Sequence, residues 1–510
     1  MIPPGAVSSQ ASDASGIVLV AALVLPLVGI LLSFLVAGRY ARGIALILLA
    51  VGLAVAAGIA DGVWRTGHAL TYISGGWLPP LGVKLRADGL SAVMIAVTAI
   101  IMFAVGLYAP SEFRVRQDKA ETRRSFSFWI LLFAIWVAMN AVFLGNDLFN
   151  LYVALELVTF AAVPLVSISG TAGTLKAALR YLLFALIGSV LYLLGTALLY
   201  GNYGTLDISL LSERIRPGLA VWLSVSVMTA GLAAKTALFP FHLWLPPAHS
   251  GAPPAASALL SSLVVKGSFF ITVRIWFDVM AGLTDLGATQ ILGAMGAGAI
   301  VVGGVMALRQ TRLKLLIAYS TVAQLGYLFL MFPLAAGAVV SSGVTLALSA
   351  GMFQAVSHAF AKAAMFMAAG LVADAVGHDR IAELRGIGYQ LPVTAFAFGI
   401  AALSLIGVPP TGGFFTKWLL LSASVSTSQW WWIVVVLAGG LLAGGYMFRV
   451  ISPGLAAAET PLVFRSPVSR NREIIVLVLA IFALLMGMIP GTPLELLQVG
   501  RVHLTKAALP

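Results

Sequence analysis

Residues 235–242 read Lys235-Thr236-Ala237-Leu238-Phe239-Pro240-Phe241-His242. Lysine and proline are both unfavourable in an apolar helix, since lysine carries a charge and proline removes an amide donor and frees a carbonyl group. Apolar sequence nevertheless surrounds this stretch, and Lys235 and Lys266 are the only two charges between Arg216 and Arg274. The stretch therefore predicts a membrane-spanning helix that is interrupted beside a buried lysine.

A second stretch of the same kind reads Gly407-Val408-Pro409-Pro410-Thr411-Gly412-Gly413-Phe414-Phe415-Thr416-Lys417. Lys417 is the only charge between Arg385 and Arg449. Irregular backbone at membrane depth is tolerated where protein or a water-filled cavity satisfies the freed groups, and in transporters such breaks mark inverted repeats. The two breaks fall on the predicted spans seven and twelve. They therefore predict two inverted repeats of five helices, with helices 7 and 12 broken.

The composition of the 510-residue chain places it in a membrane. Hydrophobic residues make up 60% of the sequence and charged residues only 9%, unlike soluble domains. We therefore predict an all-α polytopic membrane protein with about 14 transmembrane helices of about 20 residues or more. The helices are expected near 17–37, 42–60, 88–109, 126–145, 147–168, 175–200, 218–241, 253–277, 287–308, 314–334, 339–373, 391–424, 429–450 and 472–490. The two longest, 339–373 and 391–424, exceed one span and are expected to be tilted, broken or partly interfacial.

The helix count divides the chain into four segments. These are helices 1–3 (1–125), the first repeat with helices 4–8 (126–280), the second repeat with helices 9–13 (281–455), and helix 14 with a short tail (456–510). The polar insert in the first segment contains an alternating run and a proline turn, which predict a small extracytoplasmic β-hairpin: Leu70-Thr71-Tyr72-Ile73-Ser74 and Leu78-Pro79-Pro80-Leu81-Gly82. Residues 205–216 are predicted to form a short interfacial helix.

The net charge of +12 follows the positive-inside rule and does not indicate nucleic acid as a partner. With 14 spans and an extracytoplasmic N-terminus, 18 of the 30 Lys and Arg residues fall in cytoplasmic connections, and 8 fall on the opposite side. Four lysines remain inside spans. We predict a multi-pass protein of the cell membrane with both termini extracytoplasmic. Residues 1–16 contain no Lys or Arg, so no cleavable signal peptide is predicted.

No cofactor and no metal site is predicted. The chain has no cysteine, which excludes disulfides and thiolate-ligated clusters. It also contains no phosphate-cradling glycine loop, no HExxH motif and no Cys/His cluster. The sequence therefore predicts no catalytic chemistry of its own, and energy coupling must come from an ion gradient or from partner subunits.

Glu156 is the only charge between Asp147 and Lys176, near the middle of the fifth predicted span. An ionisable residue inside a membrane is a functional hypothesis by default. If Glu156 faces Lys235, the two form an intramembrane ion pair, and a pair that tightens and loosens is a proton switch, since the carboxylate stabilises the ammonium form that burial destabilises. A static bridge between two helices is the alternative.

Three further residues extend this pattern to spans eight and eleven. Lys266 lies among hydroxyl-bearing residues, too far from the preceding loop for its side chain to reach water. His358 and Lys362 are four residues apart and share one helix face. Because histidine titrates near neutrality, we predict a proton relay through these residues, with a structural core histidine as the alternative.

Lys417, beside the second break, is predicted to be the terminal proton donor or acceptor. His249 lies in a proline-rich stretch and is predicted to gate proton exchange at a span end, with a solvated loop histidine as the alternative. Four residues are expected to support the two breaks: His242, Pro240, Pro409 and Pro410. Four polar residues near span ends or interiors are interpreted as structural or water-ordering: Asp88, Tyr319, Ser320 and Gln324.

Five motifs together resemble the antiporter-like subunits shared by respiratory complex I, membrane-bound hydrogenases and Mrp-type cation/proton antiporters. They are Leu151-Tyr152-Val153-Ala154-Leu155-Glu156-Leu157, the run from Ala234 to Ser250, Leu313-Lys314-Leu315-Leu316 with Ala318-Tyr319-Ser320-Thr321, Ser357-His358-Ala359-Phe360-Ala361-Lys362-Ala363, and the run from Gly407 to Lys417. The resemblance implies fourteen helices with two inverted repeats. It also implies a central polar axis along which protons hop towards Lys417: Glu156, Lys235, Lys266, His358, Lys362 and Lys417.

Within that family, the size and ending of the chain look most like the D-type subunits of Mrp antiporters. The resemblance then implies exchange of protons for sodium within a hetero-oligomer of membrane subunits. A proton-pumping arm subunit of a complex I-like or hydrogenase redox complex, and hence part of a translocase enzyme, is the first alternative. A self-sufficient solute carrier and a structural scaffold subunit are the others.

Overall fold

A chain this apolar must satisfy its backbone hydrogen bonds internally, and helices achieve this within a single segment. The computed structural model describes residues 16–36, 40–113, 123–283, 286–336, 342–458 and 462–500. The predictions for residues 1–15 and for both termini lie outside the described residues. Helices dominate the described part of the chain, and one two-stranded sheet accompanies them.

The helices of the N-terminal segment and the first repeat alternate with short connections. Their bounds are α1 Ile17–Val36, α2 Ala41–Thr66, α3 Gly89–Glu112, α4 Arg123–Leu144, α5 Leu148–Ser167, α6 Ala172–Tyr203, α7 Ile208–Arg214, α8 Leu219–Thr236, α9 Leu245–Gly251, α10 Pro254–Leu259 and α11 Val265–Arg274. A 3-10 turn at Phe241–Trp244 precedes α9. Two π-helical segments, Leu260–Val264 and Ile275–Val279, flank α11, so the eighth span is one irregular helix.

The second half of the chain is also a succession of helices. Its helices are α12 Leu286–Leu308, α13 Leu313–Phe329, α14 Met331–Leu334, α15 Ser342–Val376, α16 Ile387–Gln390, α17 Pro392–Ile406, α18 Gly412–Ser426, α19 Trp431–Leu455, α20 Arg470–Met488 and α21 Gly491–Gln498. Within the described residues, 13 helical stretches are long and apolar enough to cross a membrane. The pair α17 and α18 forms one further crossing, interrupted at 407–411, which confirms the predicted fold of 14 spans with broken helices 7 and 12.

The two broken helices lie in halves that share an unusual backbone pairing. In the first half, Asp147 before α5 pairs with Asp207 before α7 in an isolated antiparallel bridge. In the second half, Arg312 before α13 pairs with Arg380 after α15 in the same way. Five crossings separate the two bridges along the chain, an odd number, so they lie on opposite membrane faces. The same local geometry on opposite faces is what inverted repeats produce; the segment boundaries at 125, 280 and 455 remain predictions.

The predicted β-hairpin is present. Strands β1 (Leu70–Ile73) and β2 (Lys84–Ala87) pair antiparallel, with Leu70 opposite Ala87. Helix α7 also confirms the predicted short helix at 205–216. Of the two long predicted stretches, 339–373 overlaps α15, Ser342–Val376, which is one continuous 35-residue helix. The stretch at 391–424 is broken between α17 and α18.

Glycine allows two helices of the first repeat to touch backbone to backbone. A Cβ atom at Gly231 of α8 would overlap the carbonyl oxygen of Gly188 of α6, so neither position has room for a side chain. Small residues at such crossings give membrane helices their closest packing. The contact lies one helical turn before Lys235 and fixes the height of that lysine against α6.

Three charges that the sequence analysis assigned to connecting loops are buried in the helical bundle. Lys314 lies in the first turn of α13, Arg274 at the end of α11 and Arg472 near the start of α20, each less than a tenth exposed. A charge at the edge of an apolar run looks like a loop residue in a sequence. In the folded protein these helix ends are covered by neighbouring elements.

Candidate functional site

The break in the seventh span lies between α8 and α9 and leaves the Ala234 carbonyl of α8 without its usual helical partner, the amide of Leu238. The indole Nε1 of Trp244 donates to the Ala234 carbonyl at 2.9 Å, and Leu238 N donates to the Ala233 carbonyl at 3.0 Å. Pro240 and His242 lie in the break itself, and the His242 ring stacks on Phe239. The bent chain therefore satisfies its own backbone beside Lys235.

Glu156 on α5 and Lys235 on α8 meet inside the bundle. Lys235 Nζ lies 3.1 Å from Glu156 Oε1, and the side chains are only 6% and 14% exposed, with Lys235 the more buried of the two. Lys235 also donates to Thr159 Oγ1 at 3.1 Å, and Ser189 Oγ donates to the Glu156 carboxylate. The ammonium group thus has one full counter-charge and neutral oxygens around it.

Lys266 and His358 form the centre of the candidate site. Lys266 follows the first π-helical segment, and its Nζ donates to the Ser261 carbonyl of that segment and lies 2.6 Å from His358 Nδ1. Both side chains are fully buried. In the described part of the chain, Nε2 of His358 has no hydrogen-bond partner, so one ring nitrogen stays available for a second contact.

Lys362 lies one turn beyond His358 on α15 and is completely buried. Its ammonium group donates to the Ile317 carbonyl at 3.0 Å and to the Ser320 hydroxyl, both on α13. Ser320, interpreted from the sequence as structural or water-ordering, is therefore a direct ligand of this lysine. The helix face shared by His358 and Lys362 points at α13 and at the irregular eighth span.

Lys417 lies in α18, just after the second break. Its Nζ donates to the carbonyls of Leu405 at 3.0 Å and Ile406 at 2.5 Å, which are the groups freed where α17 ends. It also lies 4.9 Å from the ring centre of Tyr327, in a cation–π contact. Pro409 and Pro410 occupy the connection between the two half-helices. Among the described residues no carboxylate pairs with Lys417.

The buried groups form a line across the bundle, but direct hydrogen bonds do not connect all of its members. Thr236, next to Lys235, donates to Ser268 Oγ at 2.8 Å and so joins α8 to α11. Within the described ranges, however, no direct hydrogen bond joins Lys235 to Lys266. Proton transfer across that interval needs a side-chain movement or an ordered water, which polar interiors commonly hold.

His249 lies in α9 and is completely buried, so the solvated loop position considered from the sequence is wrong. Its ring stacks on Phe366 of α15, with 4.5 Å between ring centres. Neither ring nitrogen has a hydrogen-bond partner among the residues that the structure describes. Two proline residues at the start of α9 explain why the proline-rich stretch is helical there, since proline suits the first helical turn.

Lys314 is a buried charge that the sequence analysis did not single out. Its Nζ donates to the Ala252 carbonyl at 2.5 Å, in the gap between α9 and α10. The amide of Ala255, three residues on, donates to Glu112 at 3.2 Å. Lys314 belongs to a motif quoted above, and its position in the first turn of the tenth span could have indicated that it is buried.

A separate charged cluster closes the opposite end of the eighth span. The Arg274 guanidinium binds both oxygens of Asp88, at 2.5 and 2.7 Å, and Asp278 at 2.7 Å. Burial acts to raise the pKa of the Asp88 carboxyl, but Arg274 and Arg86 more than offset this and hold that pKa below its usual range. Asp88 is also the N-cap of α3. The cluster therefore ties three elements together as an ionised network.

The chemistry available at the site is proton exchange between nitrogen and oxygen bases. Lysine and histidine can each gain or lose a proton, and groups within hydrogen-bond distance can pass one directly. Among the described residues, no group of three or more His, Asp or Glu side chains could hold a metal ion. The arrangement extends sideways across the bundle, from α5 to α18, and so links both broken helices.

Comparison with known proteins identifies the family to which the chain is similar. Residues 145–443, more than half of the chain, match the family described as NADH:quinone oxidoreductase/Mrp antiporter, transmembrane. The chain is 34% identical over 461 residues to the N-type subunit of the NADH-quinone oxidoreductase of Desulforudis audaxviator, covering 86% of this chain and 89% of that protein. It is 30% identical to the D-type subunit of the Na(+)/H(+) antiporter of Alkalihalophilus pseudofirmus, covering 72% of each.

The fold is also found in a solved complex. A chain in the structure of the Mrp complex from Dietzia sp. DQ12-45-1b superposes with a TM-score of 0.87, at 22% sequence identity, over 97% of this chain and 99% of that one. At this identity the likeness concerns the fold.

Proposed function

The chain belongs to the NADH:quinone oxidoreductase/Mrp antiporter family of proton-translocating, antiporter-like membrane subunits, and we propose that protons move through this chain along the buried axis from Glu156 to Lys417. The observation that carries the proposal is the placement of the lysines. Four of the buried lysines, Lys235, Lys266, Lys362 and Lys417, lie on spans that pack against one another across the bundle, and two of them lie beside a helix break. Buried ionisable residues in a membrane mark ion and proton paths.

In this proposal each lysine has its own role. Glu156 tunes Lys235, Lys266 and His358 exchange a proton at the centre, Lys362 joins them from the next turn of α15, and Lys417 is the terminal group. His249 is proposed to gate proton exchange at a span end, since it is buried and neither ring nitrogen has a hydrogen-bond partner among the described residues.

We further propose that protons are exchanged for sodium within a multisubunit antiporter. Similarity to the D-type subunit of an Na(+)/H(+) antiporter over 72% of the chain supports this assignment. A proton-pumping arm subunit of a redox complex is the second candidate, and the 34% identity to a NADH-quinone oxidoreductase protein over 86% of the chain favours it. In both cases the partners are other membrane subunits, and both termini are proposed to be extracytoplasmic.

Two measurements test these proposals separately. Gentle purification of the tagged chain from its native membranes, with identification of the co-purifying proteins and an iron and flavin assay, tests the assembly. Small hydrophobic partners without iron or flavin support the antiporter, whereas iron–sulfur or flavin partners support the redox pump and contradict sodium exchange. The proton axis itself is tested with everted vesicles containing the whole complex, in which a pH-sensitive dye reports proton movement after a sodium pulse or after an electron donor. Absence of proton movement under both conditions would contradict the axis.

A further inference from the structure

The path between His358 and Lys417 contains two glutamine side chains that the proton axis does not use. Gln354 lies on α15 one turn before His358, and Gln324 lies on α13; both are buried. Gln354 Nε2 donates to Gln324 Oε1 at 2.9 Å, and Gln324 Nε2 donates to the Leu405 carbonyl at 3.0 Å. The two amides therefore form a continuous bridge from the His358 helix to the end of α17.

The bridge ends on an oxygen that Lys417 also uses. The Leu405 carbonyl accepts from Lys417 Nζ at 3.0 Å as well as from Gln324, so both of its lone pairs are occupied. This carbonyl has no helical partner because α17 ends one residue later. Two hydrogen bonds therefore connect Gln354 on α15 to a carbonyl that holds the Lys417 ammonium.

Amide side chains do not gain or lose protons near neutral pH, so the bridge cannot serve as a relay. It can hold an orientation, since each amide has a fixed donor and a fixed acceptor end. The hydroxyl group of Tyr446 on α19 lies buried beside the Gln324 side chain. It offers the Gln324 amide a second partner if that amide leaves the Leu405 carbonyl.

We propose that Gln324 and Gln354 are positioning residues whose amide bridge holds the Leu405 carbonyl towards Lys417 and sets how readily Lys417 exchanges a proton with the His358 side of the axis. This inference rests on the proposed proton axis. It assigns a function to Gln324, which the sequence indicated only as structural or water-ordering, and to Gln354.

The test compares Gln324→Leu, Gln354→Leu and their double variant in everted vesicles that contain the whole complex, with proton movement measured over a range of pH. Leucine keeps the approximate volume and removes the amide. Gln324→Leu is expected to slow proton movement about fivefold to tenfold, the effect of losing one or two hydrogen bonds, and to displace the pH profile. Gln354→Leu should have the smaller effect. The double variant should be no slower than Gln324→Leu, because both substitutions break the same bridge.

The chain contains a matched control. Gln290 on α12 donates to Gln429 at 2.6 Å in a second glutamine pair, and among the described residues the hydrogen bonds of this pair involve none of the four lysines. Gln290→Leu should leave both the rate and the pH profile at parental values. Where Gln324→Leu does not assemble, Gln324→Glu keeps the shape and the acceptor for Gln354 but not the donor to Leu405, and should displace the profile.

Parental rate and profile in Gln324→Leu, additive losses in the double variant, or an equal loss in Gln290→Leu would each overturn the proposal. An absence of proton movement in the parental complex would contradict the proton axis instead, so the two failures are distinguishable.

Discussion

The two broken helices treat their lysines differently. Lys235 has a carboxylate partner at 3.1 Å, whereas Lys417 is held by two backbone carbonyls and the ring of Tyr327. A full opposite charge stabilises a buried ammonium more strongly than carbonyl dipoles do. The first half therefore holds its lysine with a side chain from another helix, and the second half holds its lysine with the end of its own broken helix. Two inverted repeats with the same architecture thus provide two different environments for a buried lysine.

Removing the first lysine should have the largest effect. Lys235→Ala is expected to abolish proton-coupled transport, a loss of more than about a hundredfold, since Glu156 is left without its partner and the axis loses a titrating group. Transport by the purified complex in vesicles is the measurement, with the amount of assembled complex quantified in parallel. Lys176→Ala, an exposed lysine on α6, is the control and should transport normally. Normal transport by the Lys235→Ala complex would refute the relay.

Glu156→Gln tests the carboxylate counter-charge, which Lys235 has and which Lys417 does not have among the described residues. The variant keeps the side-chain shape and removes the counter-charge, so transport should fall about tenfold, less than in Lys235→Ala. The double variant with Lys235→Ala should be no worse than Lys235→Ala alone. Glu213→Gln, on the exposed face of α7, is the matched control. Equal rates in Glu156→Gln and the parental complex would mean that the carboxylate is only a static link.

Gly407→Ala probes the backbone that replaces the carboxylate in the second half. Gly407 has φ of +89°, and a Cβ atom there would lie 2.6 Å from Lys417 Cδ. The strained conformation should lower the free energy of unfolding by about 1–2 kcal/mol and displace the lysine, reducing transport several-fold. Thermal unfolding and vesicle transport measure the two effects. Gly399→Ala, which meets open space in α17, should change neither; a similar loss in both variants would show that Lys417 is not involved.

The variants with the smallest expected effect on transport test whether the two halves have opposite orientations in the membrane. The chain has no cysteine, so single cysteines can be introduced without background. Glu213→Cys and Thr311→Cys lie near the two backbone bridges, at exposed positions, and should leave transport unchanged. A membrane-impermeant maleimide should label the first only from the extracytoplasmic side and the second only from the cytoplasmic side. Labelling of both from one side would contradict the inverted topology.

The sequence predicted the membrane fold and both helix breaks because proline, glycine and isolated charges stand out in an apolar background. It also predicted which residues are candidates for the axis. It did not predict that Lys314, Arg274 and Arg472 are buried, because helix ends and loops have the same composition. The glutamine bridge could not be predicted either, since the pairing of Gln354 with Gln324 depends on how α13 and α15 pack.

The close contact of Gly188 and Gly231 also limits how far the Lys235 side chain can move. A Cβ atom at Gly188 would lie 3.0 Å from Cγ of Lys235, so the lower part of the lysine side chain lies directly against the α6 backbone. With α6 and α8 touching there, the base of the lysine is fixed and only its ammonium end can swing. The distance over which the Lys235 ammonium can move is therefore shorter than the length of the side chain. A side chain at position 188 would change that distance without changing any charge at the site.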